Sequence, residues 1–244
     1  MLTHSTANSS RPGLGLVRTV TIAVVIGFIA LVLALATGNA GGSADAAKAK
    51  STVLGGAATM QDPLCPVNCQ VIPTVNGIQK LLPTGSSPYR ATANGKITAW
   101  KLWLGKPNSA DRAALNARFG SPPQAAITVL QRVKTKQGTK FRLQRKSPVE
   151  GLNRELGGIA TFKLKQPIRI KRGQFVALAV PTWAPAFADS LGSRYAWRAS
   201  RQPGKCGPGS IDKASSQLKK GSKRFYACNF KGSRLLFTAK LKFN

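Results

Sequence analysis

Residues 158–171 read G-I-A-T-F-K-L-K-Q-P-I-R-I-K. The even positions carry Ala160, Phe162, Leu164, Ile168 and Ile170, with Gln166 the exception. The odd positions carry Thr161, Lys163, Lys165, Pro167, Arg169 and Lys171. A period of two, apolar against polar, marks a strand with one buried face and one wet face. Pro167 cannot donate to a ladder, so this strand belongs at an edge or bends there.

The same pattern recurs on both sides. Residues 234–243 read R-L-L-F-T-A-K-L-K-F, with Leu235, Phe237, Ala239, Leu241 and Phe243 on one face. Arg234, Thr238, Lys240 and Lys242 fall on the other and are expected in solvent. Residues 95–104, G-K-I-T-A-W-K-L-W-L, carry aromatic and aliphatic groups on both faces and predict a strand inside a sheet. Residues 125–133 and 139–145 form a strand pair across K-T-K-Q-G, and residues 174–183 contain the buried-strand run F-V-A-L-A-V. Residues 193–200 and 224–230 are further strands. Residues 69–75 and 79–82 are short apolar pieces split by the turn signal Asn76-Gly77.

One helix interrupts them. In residues 108–119, N-S-A-D-R-A-A-L-N-A-R-F, Ser109 can cap and Asp111 suits the positive end of the helix dipole. Gly120 and Pro122-Pro123 end it. Short strands, turn-rich links and no βαβ alternation predict an all-β fold. The expected form is an antiparallel β-sandwich, jelly-roll-like, with one short helix.

Ahead of it lies residues 20–36, V-T-I-A-V-V-I-G-F-I-A-L-V-L-A-L-A, without a charge. The flank before it holds His4, Arg11 and Arg18 and no acid, which keeps the N-terminus in the cytoplasm. The division expected is a basic leader (1–18), a transmembrane anchor or signal-peptide core (19–36), a flexible Gly/Ala/Ser linker (37–60) and an extracytoplasmic domain (61–244). The domain then sits outside a cell membrane on a single-pass anchor, or is secreted after cleavage near Ala36.

Cys65, Cys69, Cys206 and Cys228 all follow the run, and an even count in an exported chain predicts disulfides. Each of the pairs Cys65–Cys69 and Cys206–Cys228 shares a local segment and is the expected bond. C-P-V-N-C is one residue too long for the C-x-x-C redox motif, and the only histidine, His4, is in the leader, so neither a metal nor another cofactor is expected.

The charge is the most abnormal feature: Lys+Arg 37 against Asp+Glu 7, a formal net charge of +30. Such a field attracts polyanions, or merely keeps the surface solvated. Catalysis is not expected, because without histidine the domain lacks the usual general base. Glu150 and Glu155 are the one carboxylate pair that suggests glycoside hydrolysis, but they share a single loop. In R-Y-A-W-R, Tyr195 and Trp197 alternate against Arg194 and Arg198, so specific nucleic-acid recognition is not expected. Trp183 and Phe187 lie among prolines in P-T-W-A-P-A-F, where an exposed aromatic could stack on a sugar. The expected partner is an anionic polymer or glycan of the cell envelope. The candidate binding residues are Lys163, Lys165, Arg169, Lys171, Arg234, Lys240, Lys242 and Trp183. A structural or adhesive surface component with incidental charge is the alternative, and a glycan-active enzyme the third reading.

Overall fold

A computed structural model describes residues 50–56, 60–67, 69–211 and 214–244. The leader, the apolar run and most of the expected linker lie outside the described residues. Among the described residues, no helix is long and apolar enough to cross a membrane.

The chain is mostly antiparallel β. Its first strands are β1 (Ser51–Leu54), β2 (Ile72–Leu82), β3 (Gly85–Ser86) and β4 (Gly95–Trp103). After helix α1 (Ser109–Phe119) come β5 (Gln124–Thr135), β6 (Gly138–Lys146), β7 (Glu150–Gly151), β8 (Ile159–Ile170) and β9 (Phe175–Ala184). The last six are β10 (Phe187–Ala188), β11 (Ala196–Ala199), β12 (Lys223–Phe225), β13 (Cys228–Lys231), β14 (Arg234–Leu235) and β15 (Phe237–Phe243).

They form two main sheets. A four-stranded sheet runs β1-β15-β4-β8, and a nine-stranded one follows β12-β6-β5-β9-β2-β11-β13, with β3 beside β2 and β7 beside β5. β10 and β14 make a separate ribbon. Pro167 sits in β8, an edge strand, as its missing N–H requires.

The nine-stranded sheet has to curl. β12 and β13 are the two ends of its main path, yet only Tyr226 and Ala227 separate them in sequence. Seven flat strands would set those ends roughly 29 Å apart at about 4.8 Å per step. Three Cα steps reach only about 11 Å. The sheet therefore bends back on itself, and its central strands are buried on both faces. Ile127 and Val129 of β5, with Val176 and Leu178 of β9, join a core shared with Ile97, Trp100 and Leu241 of the four-stranded sheet. Leu130, Phe141, Leu143, Ala177 and Tyr226 form a second cluster on the opposite face. This double burial is why F-V-A-L-A-V has no polar alternation.

The structure departs from the sequence reading at several places. Asn76-Gly77 is no turn but lies in the middle of β2. Asn76 is fully buried; its Nδ2 donates to Thr128 Oγ1 (3.2 Å) and to the Gln217 carbonyl (3.1 Å), and its Oδ1 accepts the Gln217 N–H (2.5 Å). A Cβ on Gly77 would meet Leu235 Cδ1 at 2.6 Å, so glycine is there for close packing. The expected linker ends early, because Ser51–Leu54 pairs with β15 from Ser51↔Lys242 to Leu54↔Ala239. Asn108, not Ser109, caps α1, its side chain accepting from the Asp111 N–H.

Candidate functional site: a basic face and a buried arginine

The face is built by register. Across β15-β4-β8, Lys242 pairs with Lys96 and Lys96 with Arg169. Directly opposed residues point to the same side of a sheet. Three cations therefore stand in one row, each about 4.5–5.5 Å from the next at Cβ. In a second row Lys240 and Lys163 flank Ala99. Lys101 projects between Thr238 and Thr161. Lys96, Lys101, Lys163, Lys165, Arg169, Lys171, Lys240 and Lys242 are all exposed. None of the four strands contains an Asp or Glu. Like charges opposed across strands repel, and here no carboxylate within the sheet offsets them.

Six of the eight candidate residues belong to this arrangement: Lys163, Lys165, Arg169, Lys240 and Lys242 on the strands, and Lys171 just past the end of β8. Two do not. Arg234, expected in solvent, is fully buried. The run 234–243 is broken at Leu236, whose N–H donates to Ala186 (3.0 Å) and whose carbonyl accepts from Trp103 (2.9 Å). Arg234 therefore belongs to β14 and the small ribbon, not to the outer face of β15. Its Nη2 donates to the carbonyls of Gly55 (2.7 Å) and Gly56 (2.9 Å), and its Nη1 to Gln61 Oε1 (3.0 Å). Burial pushes its guanidinium below the usual arginine range, while nearby Tyr89 and Tyr195 act the other way.

Trp183 is the second. It is fully buried, and its Nε1 donates to Asn116 Oδ1 of α1 (3.1 Å). No ring face is left for a sugar. Phe187 is also buried.

Lys96 and Lys101 were missed for a physical reason. A shift of register between Ile97 and Ala99 inserts Thr98 as a bulge, so β4 changes phase halfway. Lys96 before it and Lys101 after it then share a face despite unlike parity. The same shift lets β8 run from Lys163 to Ile168 against two positions of β4, so Leu164–Pro167 arch away and carry Lys165 with them.

Both expected disulfides are present, Cys65–Cys69 and Cys206–Cys228. Glu150 lies on β7 and Glu155 in the following turn, both half-buried. Among the described residues no cluster of His, Cys, Asp and Glu could hold a metal. In comparisons with known proteins no family model matches the chain, and neither a curated protein nor a solved structure shows significant similarity to it.

Proposed function

We propose that this chain is an exported, membrane-tethered binding domain whose four-stranded sheet docks anionic polymers or glycans of the cell envelope. The observation that carries the reading is the row Lys242–Lys96–Arg169, three cations side by side with no carboxylate on their sheet. A polyanion laid across the strands meets several cations at once and releases its counterions, so affinity comes from charge density rather than from a fitted pocket. The chemistry is binding without turnover. Tethering rests on the uncharged run 20–36 and its acid-free flank. We also read the two packed sheets as a β-sandwich of jelly-roll kind, a reading supported by the core that both sheets share.

The test uses a sulfated dextran as probe and follows affinity against salt. The unmodified protein should lose affinity steeply as salt rises. Replacing Lys96, Lys163, Lys240 and Lys242 with Gln should flatten the log–log slope by up to ~3 and leave the fold intact. Gln at Lys134, Lys136, Lys219 and Lys220, all exposed on other elements, should change it much less. Equal losses from both sets would mean that net charge alone acts. Absence of salt-dependent binding would favour a structural surface component with incidental charge.

A further inference from the structure

A second concentration of cations lies away from the basic sheet, against β12 at one end of the curled sheet. A cavity of about 570 Å³ opens there, lined by Arg201, Lys205, Ser215, Lys223 and Arg224 among others. No described residue lining it is a carboxylate. Arg201 and Arg224 are both held in place by neutral oxygens. Arg201, half-buried after β11, donates from Nη1 to the Thr74 carbonyl (3.3 Å) and from Nη2 to the Pro73 carbonyl (3.2 Å). Arg224 of β12 donates to the Ser215 carbonyl and, from Nη2, to Ser215 Oγ (3.1 Å).

Those bonds fix the guanidinium planes without cancelling their charge. Burial lowers the Arg201 pKa, and the Arg224 charge lowers it further, so the two cations act on one another. Holding them together costs free energy that an anion between them would return. A guanidinium carries five N–H donors in one plane. On each arginine two of them go to the protein, and the rest, held in direction by those bonds, meet an oxyanion with less loss of freedom than a loose lysine. The disulfide Cys206–Cys228 ties the chain next to Lys205 to the start of β13, so this rim is covalently fixed.

We propose that this cavity is a site for a phosphate-type oxyanion, gripped by Arg201 and Arg224 and rimmed by Lys205 and Lys223. It is independent of the basic sheet. The sheet would take extended polymers by charge density, whereas the cavity would take one compact group with saturable one-to-one stoichiometry.

Calorimetry with inorganic phosphate at near-physiological salt tests this on the full chain. Saturable uptake of one equivalent is expected. Arg224→Lys, which keeps the charge and loses the fixed planar set of donors, should weaken it by about tenfold, and Arg201→Gln by at least as much. Because Arg201 also bonds to β2, near-UV dichroism should accompany that variant. Lys223→Gln, at an exposed position, gives a second handle that does not touch the fold and should also weaken uptake. The triple variant Lys96→Gln, Lys240→Gln, Lys242→Gln should bind phosphate unchanged. Glycerol 3-phosphate binding as tightly as phosphate would assign the cavity to monoester end groups, and phosphate alone to the free ion. No saturable uptake, or equal weakening by the triple sheet variant, would overturn the proposal.

Discussion

Arg234 joins the middle of the fold to its N-terminal edge through the carbonyls of Gly55 and Gly56 and the Gln61 side chain. Replacing it with Met removes charge-assisted bonds to the buried Gly55 carbonyl and the half-buried Gly56 carbonyl and leaves their lone pairs unsatisfied. The expected loss is about 3 kcal/mol in urea-unfolding free energy. Its role was not legible in the sequence. Alternation put it in solvent, and only the break at Leu236 turns it inward. Two tyrosines give a second test at this scale. Tyr89, whose hydroxyl donates to the Phe237 carbonyl, and Tyr226, whose hydroxyl donates to Gln217 Oε1 (2.9 Å), are both buried. Burial raises each phenol above its ordinary range, outweighing the nearby Arg234 and Arg224, respectively. In the unfolded chain a phenol ionises at about pH 10. Their contribution is therefore complete below that pH and declines above it, because the unfolded chain sheds protons that the fold retains. Urea midpoints should stay level up to about pH 9 and fall beyond about pH 10. An unchanged alkaline slope in Tyr89→Phe, Tyr226→Phe would assign the fall to other groups.

Among the elements, the strands with clean alternation were the most legible. β8 kept the faces that its periodicity implied, and so did β15 except at Thr238, which is buried instead of solvated; both cysteine pairs formed as their spacing suggested. β4 was recognised as a strand, but its bulge at Thr98 hid two of the cations. In β2, the turn chemistry of Asn-Gly lost to burial, since Asn76 finds side-chain and backbone partners inside the curl that a turn would not supply. The disulfides differ in what they constrain. Cys206 and Cys228 are 22 residues apart, and Cys65 and Cys69 only four. Cys206→Ser with Cys228→Ser should lower unfolding free energy by roughly 3 kcal/mol on the loop-entropy model, and the Cys65/Cys69 double serine by less. Equal losses would mean that native-state contacts, not loop closure, set the effect.

At the scale of the whole molecule, the shared core was foreseeable from apolar alternation, while the curl was not. Nothing local in K-R-F-Y-A-C-N-F-K announces that its two halves serve opposite edges of one sheet; residues 224–230 looked like a single strand. The segment that fills the curl is equally silent. Gln217 donates from Nε2 to the carbonyls of Phe141 (3.1 Å) and Ser222 (2.8 Å) and accepts from Tyr226, yet it sits in a stretch with no periodicity. Long-range pairing of this kind is decided by the total burial it permits, which no window of sequence contains.

The pairing of β1 with β15 brings Ser51 opposite Lys242, and the Phe243 N–H donates to the Lys50 carbonyl (3.1 Å). The two ends of the folded unit thus leave from the same end of one antiparallel ladder. Tension between them would fall on the outermost rung first and open the ladder like a zipper, one rung at a time, instead of shearing all rungs together. A pull on the N-terminal side against a load held on Lys240 and Lys242 would travel the same way. Once β1 has peeled off, the force reaches Gly55 and Gly56, where the Arg234 guanidinium holds the chain. Mechanically, that buried arginine is the stop at the end of the zipper.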